Sequence, residues 1–176
     1  MPPIQRLLSL GLSLGGLLGA IPSAAQQLSG RQGRYSVEIQ VPVTIQRAWA
    51  VLSRYEAMAG VMPDIRQARV VRRSGRQLEL AHTYQAPYTF GLPIQARLLL
   101  EESPPLQLRY RLLSGERIRS LEGRWSITPS GSGIRLQHQI EIDPELPAML
   151  RPLYFELSEA NLLQSMRVLR QLMLQR

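Results

Sequence analysis

From Ile65 to Ile142 apolar residues return at every second position in six successive runs. The runs are Ile65–Arg73, Gln77–Gln85, Ile94–Glu101, Gln107–Ser114, Arg117–Thr128 and Ile134–Ile142. A period of two marks strands with one face buried. The joints between them are short and built from turn residues: Ser74-Gly75, Pro87 to Pro93, Pro104-Pro105, Gly115-Glu116, and Pro129 to Gly133. Glycine supplies a positive φ there, and proline a fixed φ without a donor. Short joints between consecutive strands predict an antiparallel meander. A sheet of this length must curl, because strands twist.

The flanks supply the rest of the fold. Tyr35–Val43 alternates as a further half-buried strand. Thr44 is placed to cap a helix from Ile45 to about Tyr55, whose apolar face holds Ala48, Trp49, Val51, Leu52 and Tyr55. A second helical piece, Glu56–Met62, stops before Pro63. After Asp143-Pro144 the spacing turns to three and four, with Leu150, Leu153, Leu157, Ala160, Leu162, Met166, Leu169 and Met173. This predicts a long helix within Leu146–Leu174, with Pro152 either kinking it or marking its true start. The expected fold is α+β, about seven antiparallel strands curled around that helix, with two short helices after the first strand. Only the last helix is long and apolar enough to cover the concave face. A curled sheet closed by one helix is expected to leave an apolar hollow inside.

The first residues read differently. Arg6 precedes an apolar stretch of about 15 residues, Leu7 to Ile21, followed by Pro22 and the small residues Ser23-Ala24-Ala25. That is the grammar of an export signal ending after Ala25, and the stretch is short of the ~20 residues that a spanning helix needs. The expected organisation is a signal over 1–25, cleaved or kept as an anchor, and a domain over 31–176. Export to a periplasm, a lumen of thylakoid type or the medium follows from it.

Composition removes several chemistries. The 176-residue chain has no cysteine, so disulfides, thiolate zinc sites and cysteine nucleophiles are excluded. All 21 basic residues are arginine, which excludes Schiff-base and P-loop lysines. Two histidines are too few for a histidine-based metal site, and no metal or cofactor is expected. Ser130-Gly131-Ser132-Gly133 reads as a hairpin tip, not a nucleophile elbow. Glu101-Glu102 and Asp143 read as turn residues, with no paired-carboxylate spacing.

The segment VEIQVPVTIQRAWAVLSRYEAMAGVMPDI, with Trp49, Tyr55 and Pro63, resembles the opening of the START-like, helix-grip (SRPBCC) superfamily. GERIRSLEGRWSITPSGSGIRLQHQIEIDPELP resembles the later strands of its polyketide cyclase/coenzyme Q-binding branch, at Gly115, Leu121, Gly123, Trp125, Pro129, Gly133, Pro144 and Pro147. ELSEANLLQSMRVLRQLML looks like the closing helix of that branch. The resemblance implies a hydrophobic-ligand domain, while the superfold itself hosts binders, cyclases and lipid carriers.

Alternation puts His82 with Leu78 and Leu80, Tyr84 beside it, Tyr110 with Leu108 and Leu112, and His138 with Leu136 and Ile140. These four are the candidate ligand-binding residues; no residue is assigned as catalytic. An imidazole or phenol among apolar groups could hold a quinone carbonyl or a hydroxyl, and it could equally be a buried polar group satisfied by backbone or water. Trp49 and Trp125 read as core anchors, with Gly123 as a close-approach position beside the Trp125 ring. The leading expectation is reversible binding of a lipid, isoprenoid or quinone. The alternative is a cyclase or dehydratase using Tyr110 and His138 as acid and base. Access is expected through Pro87–Pro93 and Met58–Met62, where Gly60 and Gly91 permit movement. The net charge is +8, and residues 31–140 hold 16 of the 21 arginines but only 8 of the 13 acids. With Arg97, Arg109, Arg111 and Arg124 turned outward, the first reading is a solvated arginine-rich surface, and peripheral contact with an anionic membrane is the functional alternative. Nucleic acid is disfavoured, because no stacking aromatics interleave with the arginines.

Overall fold

The computed structural model describes residues 26–175; the expected export signal over 1–25 lies outside them. The chain forms β1 (Gln27–Arg31), β2 (Arg34–Val41), α1 (Ile45–Leu52), β3 (Ile65–Ser74), β4 (Gln77–Tyr84), β5 (Ile94–Ser103), β6 (Gln107–Gly115), β7 (Ile118–Ser130), β8 (Gly133–Pro144) and α2 (Arg151–Leu174). Short 3-10 turns occupy Glu56–Met58, Pro87–Thr89 and Ala148–Leu150. The strands form one antiparallel sheet in the order β1-β2-β8-β7-β6-β5-β4-β3. This is the expected α+β helix-grip arrangement, with eight strands rather than seven. The additional strand, β1, precedes the expected domain start at 31. It pairs with β2 from Gln27↔Glu38 to Arg31↔Arg34 and carries a single apolar side chain, Leu28, so it has no alternation to read.

Local chemistry accounts for the element ends. Thr44 Oγ1 accepts from the Arg47 amide at 3.1 Å and starts α1. α1 stops at Leu52, short of Tyr55. Pro152 sits in the first turn of α2 and marks its start, where a missing amide proton costs nothing. At the other end of α2 the Arg47 guanidinium donates to the carbonyls of Leu172 (3.0 Å), Met173 (3.1 Å) and Gln175 (2.5 Å). A cation on carbonyls left open by the helix satisfies them and complements the helix dipole. Asp143 receives Arg151 at 2.8 Å and ties the end of β8 to the start of α2.

The solid core sits at the α1 end. Val37, Ile39 and Val41 of β2, Ile127 of β7, and Ile134 and Leu136 of β8 pack with Ala48, Val51 and Leu52 and with Met166, Leu169 and Met173 of α2. The expected inward face of α2 holds in this second half. In the first half it is rotated: Leu153 is exposed, and Tyr154, Phe155, Ser158 and Leu162 are the residues turned in. Among the described residues no helix is long and apolar enough to cross a membrane.

Candidate functional site

Between the sheet and the first half of α2 lies a cavity of about 220 Å³. Its walls are mostly aliphatic and aromatic: Leu98, Leu100, Leu108, Leu121 and Trp125 from the sheet, and Tyr154 and Leu162 from α2. The helix keeps this space open by presenting two buried serines, Ser158 and Ser165, where longer side chains would fill it. Ser158 Oγ turns back to the Tyr154 carbonyl at 2.7 Å, which satisfies the hydroxyl without reaching into the hollow. Phe90 and Arg117 are the exposed members of the lining and mark its mouth. Phe90 follows the Pro87–Thr89 turn at φ 54°, a left-handed conformation that a bulky side chain seldom adopts. It belongs to one of the two loops from which access is expected; Met58 and Met62 of the other also line the wall.

All four candidate residues from the sequence, His82, Tyr84, Tyr110 and His138, line this cavity. Pairing is unbroken along Gln77–Tyr84 of β4 against β5 and along Gln107–Arg111 of β6 against β7. The shift between β7 and β8 lies at Ile118/Ser120, away from His138, so the alternation that places these residues holds. They form two pairs. Tyr110 Oη and His138 Nε2 share a hydrogen bond of 2.8 Å. His82 Nδ1 and Tyr84 Oη share one of 2.9 Å, and the other ring nitrogen of His82 is buried without a protein partner among the described residues. Burial disfavours the imidazolium and pushes His82 down to about 4 and His138 to about 3. The same burial, aided by neighbouring acidic groups, raises the Tyr84 and Tyr110 phenols well above their ordinary range. All four are therefore neutral hydrogen-bonding groups at ordinary pH.

Two tight contacts hold the Tyr110–His138 pair. Trp125 faces His138 across β7 and β8, and the rings stack with centroids 3.8 Å apart and planes 3° from parallel. Trp125 is thus cavity wall as well as core. Gly123 is the cross-strand partner of Tyr110, and a Cβ there would overlap the phenol oxygen and the Gln139 carbonyl. The close-approach glycine expected beside the Trp125 ring serves the Tyr110 ring instead.

Asp64, Tyr88 and Asn161 are site residues that the sequence does not single out. Asp64 lies between Pro63 and β3, and its carboxyl turns into the cavity, where it accepts from Tyr88 Oη at 3.0 Å and from the Asn161 side chain. Burial raises its pKa, and the hydrogen bonds from Tyr88, Asn161 and its own backbone amide oppose the rise. Nothing in its local spacing marks it, because its partners come from a loop 24 residues away and from α2. Glu102, expected as a turn residue, is half-buried on β5; it accepts from Tyr55 Oη at 2.5 Å and pairs with Arg73 at 2.9 Å.

Residues 41–167 match the family model described as polyketide cyclase / dehydrase and lipid transport. The chain belongs to that family. Its fold is the START-like one that the sequence resembles. A Thermus thermophilus protein matches with a TM-score of 0.71 at 20% identity, over 79% of this chain and 95% of that one. A STAR-related lipid transfer protein from Xanthomonas axonopodis matches at 0.64 and 14% identity, over 85% and 99%. The Zhui aromatase/cyclase from a Streptomyces species matches at 0.63 and 12% identity, over 85% and 94%. At such identities the likeness is one of fold. No curated protein sequence matches the chain. The sheet and α2 enclose a largely apolar space here.

Proposed function

We propose that the chain reversibly binds and carries a hydrophobic small molecule, a lipid, isoprenoid or quinone, inside the cavity. The observation that supports this most is the hollow itself: apolar walls, a few neutral polar groups and a mouth at Phe90 and Arg117. Binding comes from burial. A ligand that hides about 400 Å² of apolar surface gains on the order of 10 kcal/mol before entropic costs. His82 and His138 with their tyrosine partners orient it by hydrogen bonding without adding charge. The name of the Xanthomonas neighbour, a lipid transfer protein, favours the same reading. Native mass spectrometry of the protein from its own host tests it: a bound mass of lipid size is expected, and an apo mass that takes up no quinone or apolar dye sinks it. We also propose export through residues 1–25, and the same spectrum reads it as a polypeptide mass shortened to begin after Ala25.

A second reading, a cyclase or dehydratase, rests on the 2.8 Å contact of Tyr110 with His138, a neutral acid and a neutral base inside an apolar space. His138→Gln separates the two. Lost turnover of a polyketide-like substrate with retained affinity supports catalysis; a carrier has no turnover to lose.

A further inference from the structure

Among the described residues Asp64 is the one carboxylate of the cavity wall, and neither reading above uses it. No arginine is among the groups that set its charge; its partners are the neutral Tyr88 and Asn161 side chains and its own backbone amide. An ionised carboxyl has about four lone-pair positions, so three donors leave one open. Its negative charge reaches four phenols, Tyr84, Tyr88, Tyr110 and Tyr154, and adds to the burial that keeps each protonated. One end of an otherwise apolar hollow is thus electronegative and ringed by tyrosines, with a carboxyl position still open to a donor. Tyr88 is two residues from Phe90, which places this end near the mouth.

An acceptor-rich head, such as a carboxylate or phosphate, would meet repulsion at Asp64, where no arginine is among the groups acting on the carboxyl; Arg117, the cation of the lining, is exposed at the mouth. A donor head meets the open lone-pair position, and a cationic head also meets a countercharge and tyrosine rings. We propose that Asp64, with Tyr88 and Asn161, is a head-group site that selects amphiphiles whose polar end donates hydrogen bonds, an alcohol or a protonated amine. The inference rests on the reading that the cavity takes apolar molecules, and it specifies which ones.

Calorimetry on the whole protein at neutral pH tests it with three probes of equal chain length: decanol, decylammonium and decanoate. Decanol and decylammonium are expected to bind at least about tenfold more tightly than decanoate. Preference for decylammonium over decanol assigns charge pairing, and parity assigns hydrogen bonding; both support the site. Asp64→Asn, close in shape, is expected to cut decylammonium affinity about tenfold or more while leaving decanoate equal or improved. Equal affinities for the three heads in the wild type, a comparison that needs no variant, overturn the inference and leave the carrier reading standing. An unchanged preference in a folded Asp64→Asn protein also overturns it. Failure of all three probes to bind overturns the carrier reading and the inference together.

Discussion

His138 lies flat against Trp125 with its Nε2 on Tyr110, and His82 is held by Tyr84 with its second nitrogen unpartnered among the described residues. A neutral imidazole suits these surroundings; an imidazolium would need a hydration shell that neither site supplies. The pH dependence of stability follows from the direction of the shift. Both pKa values fall from 6.5 on folding, to about 4 and about 3. Below pH 6.5 the unfolded chain therefore binds protons that the folded chain refuses, and stability drops as pH falls. The slope approaches about 1.4 kcal/mol per pH unit for each histidine, and it ends once pH passes below the folded values. Asp64, whose pKa burial raises, takes its proton more readily when folded and offsets part of the loss. Urea midpoints measured from about pH 7 to about pH 4 are expected to fall steadily, and a His82→Gln/His138→Gln double variant to fall less. Equal slopes in the two proteins would show that these imidazoles are not the titrating groups. The four strand residues are legible in the sequence because alternation alone fixes which strand side chains share a face. Asp64 is not, since a single carboxylate after a proline looks like any loop residue until Tyr88 and Asn161 are folded onto it.

At the level of elements, the strands are readable where apolar and polar residues alternate, and β1 is hidden where they do not. α2 is the more instructive case. Leucines at 150, 153 and 157 suggest an inward face that continues through Leu162, yet the helix turns Tyr154, Phe155 and Ser158 inward instead. The most apolar stripe is the natural choice for the buried face, but a helix that walls a cavity buries aromatic and small residues and leaves Leu153 in water. Ser165 tests this account. It is buried, lines the cavity, and sits between Leu162 and Leu169 on the inward face. Ser165→Leu is expected to occupy part of the hollow, raise stability by about 1 kcal/mol as cavity-filling changes commonly do, and reduce uptake of apolar ligands. Thermal unfolding and dye displacement read the two effects. A stabilised variant that binds as before would mean that ligands lodge elsewhere.

For the molecule as a whole, the charge of +8 is unevenly spread. The outer face expected to be basic is in fact mixed. Arg97, Arg109 and Arg111 are exposed, but Arg97 pairs with Glu79 at 2.8 Å, and Arg124 is half-buried with its guanidinium on Gln139. The excess gathers on the edge strand β3 and its hairpin, where Arg66, Arg69, Arg72, Arg73 and Arg76 occur without an intervening acid. Among the described residues Arg73 pairs with Glu102, while Arg69, Arg72 and Arg76 meet no carboxylate. Charged side chains on an open edge discourage strand addition by another chain, and we propose that this run also meets an anionic lipid surface. Arginine forks grip phosphate oxygens in pairs, and each contributes about 1 kcal/mol near a charged bilayer. Flotation with vesicles of phosphatidylcholine alone, or with added phosphatidylglycerol, is expected to retain the protein only on the anionic set, and less so as salt rises. Replacing Arg69, Arg72 and Arg76 together with glutamine removes about 3 kcal/mol and should weaken that binding on the order of a hundredfold. The three side chains are exposed and outside any ion pair among the described residues, so the fold should persist. Retention on both vesicle types, unmoved by salt or by the triple change, would assign the contact to the exposed apolar residues of the Pro87–Pro93 loop, Phe90 and Leu92, rather than to the arginines.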